Sequence, residues 1–89
     1  MTVEKQLTVQ NRAGMHLRAA SKIVSALRDF KCDVELTYEH RTANARSIMS
    51  LTQLIAPPGS VLLLRVDGPD AVRAALALEK LFQDRFGEE

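Results

Sequence analysis

Apolar residues recur along this chain with two spacings, one suited to strands and one to helices. From Thr2 to Val9 the residues Val3, Leu7 and Val9 fall on one side of an alternating stretch, which predicts a first strand. Asn11-Arg12-Ala13-Gly14 ends it. From Leu17 to Phe30 the apolar positions Ala20, Ile23, Val24, Leu27 and Phe30 follow a helical period, with Lys22, Ser25, Arg28 and Asp29 between them. Cys32, Val34, Leu36 and Tyr38 then alternate with Asp33, Glu35 and Thr37, the pattern of a strand with one wet face. His40 and Arg41 mark a turn, and Arg41 to Ala43 is a short returning strand. Ser47 to Ile55 places Ile48, Leu51, Leu54 and Ile55 at helical intervals, with serine as a good N-cap and Pro57-Pro58-Gly59 as the stop. Val61 to Val66 is a nearly unbroken apolar run, predicting a central strand paired on both edges with little exposed side-chain area. After the turn Asp67-Gly68-Pro69-Asp70, the residues Ala71, Ala74, Ala75, Leu78, Leu81 and Phe82 form one stripe of a last helix, capped by Asp70 and ended by Gly87.

The element order is therefore strand, helix, strand, strand, helix, strand, helix. A sheet with helices on one face and solvent on the other is the most economical way to bury these amphipathic elements in so short a chain. At 89 residues, a single domain spanning 1–89 is expected. Twelve Lys and Arg offset eleven Asp and Glu, and there is no Trp, so neither a polyanion-attracting field nor a base-stacking platform is available. Nucleic acid is not the expected partner. Cys32 stands alone and cannot close an internal disulfide, which suits a reducing compartment. The first residues lack the apolar core of a signal peptide, and no apolar run approaches the ~20 residues of a membrane span. A cytoplasmic protein with no membrane insertion is expected.

The most informative stretch is Asn11-Arg12-Ala13-Gly14-Met15-His16-Leu17-Arg18-Ala19-Ala20-Ser21. It sets a histidine at the junction of a glycine-containing loop and a long helix. The first amides of a helix have no internal partners, and the aligned peptide dipoles place about half a positive charge there, so an anion is stabilised. The same field disfavours imidazolium and keeps a nucleophilic lone pair available. Arg18 brings a guanidinium that pairs with phosphate oxygens as a fork. Gly14 permits the sharp turn that presents the ring to solvent. Taken alone, a histidine ahead of a helix is ordinarily a solvated or capping residue, and Arg18 is a first-turn cation in an unfavourable place, by a few tenths of a kcal/mol.

Gly14-Met15-His16-Leu17-Arg18-Ala19-Ala20 resembles the Gly-Leu-His-Ala-Arg-Pro-Ala motif of HPr, the histidine-containing phosphocarrier family of the phosphoenolpyruvate-dependent phosphotransferase system. Ala45-Arg46-Ser47-Ile48-Met49-Ser50-Leu51 is similar to that family's second motif, usually written with Lys-Ser-Ile-Met. Gly68-Pro69-Asp70 resembles its turn before the last helix. The resemblance spans nearly the whole chain. It implies an α+β fold, an open-faced β-sandwich of a four-stranded antiparallel sheet with three helices on one face, in the order βαββαβα. It implies that His16 accepts a phosphoryl group on Nδ1 from phosphorylated enzyme I and passes it to EIIA proteins, with Arg18 steadying the group. The family's small residue and proline are replaced here by Leu17 and Ala19, which bears on transfer rate.

Ser47 reads as an N-cap, and by the resemblance also as a site of regulatory phosphorylation by an HPr kinase/phosphorylase. Ile48, Met49 and Thr52 cannot all join Leu51 and Leu54 in the core, because a short helix buries one stripe. The resemblance assigns them, with Leu17, to partner docking. Cys32 reads as an inert core thiol and His40 as a solvated turn residue, with no metal site and no cofactor expected. The carrier is not expected to be an enzyme in its own right, and a monomer is expected. The alternative is a regulatory HPr-like binding module, nitrogen-branch or serine-phosphorylated, with little histidine phosphotransfer. An acyl-phosphate hydrolase on a similar sandwich ranks lower, because the sequence offers no second polar residue near His16 suited to positioning water.

Overall fold

The computed structural model describes residues 1–88. Its elements are β1 (Thr2–Thr8), α1 (Leu17–Leu27), β2 (Asp33–Tyr38), β3 (Arg41–Asn44), α2 (Ile48–Thr52), β4 (Val61–Asp67) and α3 (Ala71–Gln83), followed by a three-residue turn at Arg85–Gly87. The strands form one antiparallel sheet in the order β1-β4-β2-β3. β4 pairs with β1 from Thr2↔Asp67 to Thr8↔Val61, and with β2 from Asp33↔Asp67 to Thr37↔Leu63. Because β1 and β2 both oppose β4, they run parallel to each other, and α1 carries the chain across β4 between them.

One face of the sheet is dry. Leu7, Val34, Leu36, Ala43, Leu62, Leu64 and Val66 meet Ala19, Ala20, Ile23 and Leu27 of α1 and Ala71, Ala74, Ala75, Leu78 and Phe82 of α3. The alanines of α3 let its backbone approach β1 and β4 closely, while the larger side chains interdigitate between them. The fold is the α+β open-faced sandwich implied by the resemblance, in the order βαββαβα.

The boundaries differ from expectation for identifiable reasons. β4 is central and paired on both edges, yet Val61 and Leu63 are exposed, because an antiparallel sheet covered on one side leaves alternate residues in water however apolar the run. α2 stops at Thr52 rather than Ile55, which takes a left-handed conformation (φ 51°) and is 70% exposed. The turn between β2 and β3 is Glu39–His40, so Arg41 belongs to the strand. α3 ends at Gln83, short of Gly87, and Asp70 makes no capping bond. Its Oδ2 instead accepts from the Lys31 amide at 2.7 Å, tying the start of α3 to the loop before β2.

α1 ends at Leu27, leaving Phe30 half-buried beyond it. The end is held by Arg46, whose guanidinium donates to the carbonyls of Leu27 (2.9 Å), Phe30 (2.5 Å) and Cys32 (2.9 and 3.1 Å). A helix terminus leaves carbonyls without partners, and a planar cation with five donors satisfies several at once. Cys32 lies just ahead of β2 and is half-buried, with Sγ 3.7 Å from Arg46 Nη2, rather than a core strand residue. Arg46→Ala is expected to lower unfolding stability by about 2 kcal/mol, as for loss of hydrogen bonds from a charged donor. Urea denaturation at neutral pH measures this, with Arg46→Lys intermediate.

Candidate functional site

The site is assembled from three separated pieces of chain: the loop after β1, the first turn of α1 and the turn after α3. Gly14 begins the loop's last bend at φ 70°, and a Cβ there would lie 2.6 Å from the Ala56 carbonyl oxygen. That oxygen accepts from the Met15 amide at 2.9 Å, and the Met15 side chain is buried. Only glycine combines this dihedral with this approach. The loop is thus pinned one residue before the helix.

His16 is the N-cap of α1, in an extended conformation (φ −103°, ψ −178°). Its carbonyl accepts from the Ala20 amide at 3.0 Å, and its ring Nδ1 accepts from the Arg18 amide at 3.2 Å. A side-chain oxygen usually fills this place. Here an imidazole lone pair does so, which requires Nδ1 to be unprotonated. The proton of a neutral ring then resides on Nε2, and Nε2 faces Glu88 Oε2 at 2.7 Å. The His16 side chain is 28% exposed.

Glu88 reaches the ring through an unusual chain reversal. Arg85 (φ 55°), Phe86 (φ 54°) and Gly87 (φ 73°) are all left-handed. Such a conformation costs a bulky residue about 1–3 kcal/mol. Burial of the Phe86 side chain offsets it: the ring is fully enclosed and packs edge-to-face on Phe82, with centroids 4.8 Å apart. Lys22 of α1 also donates to the Phe86 carbonyl. Glu88 Oε1 accepts from Asn11 Nδ2 at 3.1 Å, and Arg18 Nη1 stands 4.0 Å from Oε2. Asn11 is fully buried, and its Nδ2 also donates to the Gly14 carbonyl at 2.8 Å. Both neighbours are acceptors, which settles the orientation of the amide; Oδ1 has no partner among the described residues.

The remaining candidate residues divide by exposure. Arg18 is largely in solvent, free to swing over the helix start. Together with Arg12, Ala13, Lys22, Gly87 and Glu88 it lines an open basin of about 380 Å³, in which three cations surround one carboxylate. Leu17 at the start of α1 is 66% exposed and Met49 of α2 is 72% exposed, while Ile48 and Thr52 are half-buried and Ile48 packs on the core. α1 and α2 pack against each other. Ser47 Oγ accepts from the Ser50 amide at 3.2 Å, so the serine does cap α2. His40 is exposed in its turn.

A family profile described as "PTS HPr component phosphorylation site" matches residues 3–84. The chain belongs to the HPr phosphocarrier family. "Phosphocarrier protein HPr" of Xylella fastidiosa is 40% identical over 87 residues, covering 98% of each chain. That of Treponema pallidum is 45% identical over 87 residues, covering 98% of this chain and 99% of the relative. Among solved structures, "HPr-C-His from Thermoanaerobacter tengcongensis" superposes with a TM-score of 0.92 at 31% identity, covering 98% of each chain. "Phosphocarrier Protein HPr from Bacillus anthracis" gives 0.86 at 30% identity, covering 92% of this chain and 98% of the other. Among the described residues, no helix of this HPr-family chain is long and apolar enough to cross a membrane.

Asn11 and Glu88 complete the site, although the linear pattern offers no second polar residue near His16 suited to positioning water. Asn11 was visible only as part of a turn, and nothing in a linear pattern signals that its amide is buried. Glu88 lies 72 residues from His16 and beyond the stretch matched by the HPr family profile. Gly87 was the one hint of a reversal.

Partial burial of Glu88 opposes its ionisation, but hydrogen bonds from Asn11 and His16, and the charges of His16 and Arg18, outweigh this and hold its carboxyl below the ordinary value of 4.5. A group with a lowered folded pKa stabilises the fold above its unfolded pKa and stops doing so as pH falls through the folded value. The stability difference between wild type and Glu88→Gln is therefore expected to be present at neutral pH and to shrink once pH drops below about 4.5. Denaturation of both proteins across the acid range measures it.

Proposed function

We propose that this chain carries a phosphoryl group on His16 Nδ1, accepting it from phosphorylated enzyme I and passing it to EIIA proteins, as a cytoplasmic monomer that depends on those partners for catalysis. The observation that carries the reading is the Arg18 amide, which donates to Nδ1 from the first turn of α1. When the Nδ1 lone pair forms a bond to phosphorus, the donor's bond to that phosphorus breaks, and its electrons stay on the donor. The amide that bonded the lone pair then faces a phosphoryl oxygen, at a helix terminus that favours negative charge. The Arg18 guanidinium, largely solvated beside it, supplies a second donor. Leu17, Ile48, Met49 and Thr52 form the docking surface, where exposed Leu17 and Met49 offer apolar area to a partner.

Incubation with phosphoenolpyruvate and enzyme I is expected to give one acid-labile phosphate per chain, absent in His16→Ala. Arg18→Ala is expected to keep the phosphate but slow its transfer about tenfold or more, as for loss of a charged hydrogen-bond donor. Uptake by His16→Ala equal to wild type excludes the reading.

A second, regulatory phosphorylation on Ser47 by an HPr kinase/phosphorylase completes the proposal. The hydroxyl is half-buried, next to exposed Met49, so nearly two negative charges would appear inside the docking surface. Arg46, engaged with the carbonyls of Leu27, Phe30 and Cys32, is not free to neutralise them. Treatment with that kinase and ATP is expected to give acid-stable phosphate, lost in Ser47→Ala, and slower uptake on His16. Regulatory modification with a silent His16 would favour the binding-module alternative.

A further inference from the structure

We propose that Ile55 is a docking residue for the phosphoryl donor: its side chain, turned outward beside the His16 loop by a left-handed backbone, packs against an apolar surface of enzyme I. The inference rests on the carrier reading and deepens it, adding to the docking surface a residue that lies beyond α2.

Among the described residues, four other than glycine have a positive φ: Glu39, Ile55, Arg85 and Phe86. Three of them have a local reason for it. Glu39 opens the two-residue turn between β2 and β3, and hairpin turns of that length favour a positive φ because it matches the twist of the strands. Arg85 and Phe86 make the reversal that encloses the Phe86 ring. Ile55 has neither reason. It is β-branched, the kind of side chain that fits this conformation worst, and it is 70% exposed, so burial does not offset the strain.

The conformation is imposed from both sides. Leu54 is buried and its carbonyl accepts from Arg41 Nη1 at 3.0 Å, while Ala56 is buried and its carbonyl accepts from the Met15 amide at 2.9 Å. The Ile55 amide donates to the Thr52 carbonyl at 3.2 Å, closing the turn after α2. Between two anchored neighbours, the Ile55 side chain faces solvent. Glycine would close the same turn without strain. An exposed, branched hydrocarbon at this place is therefore accounted for by what it meets rather than by what it holds.

The occupant follows from the position. The bond from Met15 to Ala56 sets Ile55 against the loop that presents His16. A donor that brings phosphorus within bonding distance of Nδ1 must lay its own surface over the residues flanking that ring. There it meets Leu17, Met49 and Ile55, three large apolar side chains that stand mostly in water. The complementary surface on the donor is apolar, and contact with it holds the complex without drawing Arg18 away from the phosphoryl group.

The test compares wild type with Ile55→Gly and Ile55→Asn, which relieve the backbone and remove the hydrocarbon, and with Ile55→Leu, which keeps it. Urea midpoints of the Gly and Asn variants are expected at or above that of wild type. In transfer from phosphorylated enzyme I, both are expected to raise the KM for the carrier about tenfold, the order for one aliphatic side chain left in water, with the rate at saturation unchanged. Ile55→Leu is expected to stay within about twofold of wild type. A wild-type KM in the Gly and Asn variants, or urea midpoints for both below wild type, overturns the docking role of Ile55 and leaves transfer through His16 standing. A wild type that takes up no phosphate overturns the carrier reading and this inference with it.

Discussion

A single hydrogen bond, from the Arg18 amide to His16 Nδ1, is the constraint around which the rest of the site is arranged. Helix starts always present amides without partners, and most proteins cover them with a hydroxyl or a carboxylate. A cap of that kind leaves no reactive atom at the positive end of the helix. A neutral imidazole lone pair serves the structure while remaining a nucleophile, and the amide it covers can turn to an anion brought to the same place. The Gly14 bend exists to make this possible. Its dihedral, and the contact distance to Ala56, place the histidine at the cap and nowhere else along the loop.

The second nitrogen of the ring is set by a different part of the chain. Phe86 occupies a backbone conformation that a large side chain normally avoids, and the energy to hold it there comes from burying that same side chain against Phe82. Strain at one residue and packing at the same residue thus combine to present a carboxylate 2.7 Å from Nε2. Core and site are linked by this arrangement, since loosening the Phe82–Phe86 contact would release Glu88.

Much of the fold was legible because its elements are two-faced. Alternation in β1 and β2, and the helical stripes of α1 and α3, follow directly from burial on one side. The errors fell where local pattern and global topology part company. Val61 and Leu63 looked like core residues because their run is apolar, but exposure is decided by which face the helices cover. Phe30 and Ile55 kept the helical spacing of their neighbours, while the ends of α1 and α2 were set by Arg46 and by a left-handed residue. His16, Arg18 and Ser47 could be singled out because motif and element coincide. Asn11 and Glu88 could not, since only the folded chain brings Glu88 to the ring and Asn11 to Glu88, and a buried amide has no signature in sequence.

Which nitrogen takes the phosphoryl group is the decisive property of the site. The direct measurement is 31P–15N coupling in 15N-labelled protein phosphorylated by phosphoenolpyruvate and enzyme I. Coupling from phosphorus to Nδ1 of His16, with hydrogen retained on Nε2, is the result the structure predicts. Coupling to Nε2, or phosphate found on another side chain, would contradict it.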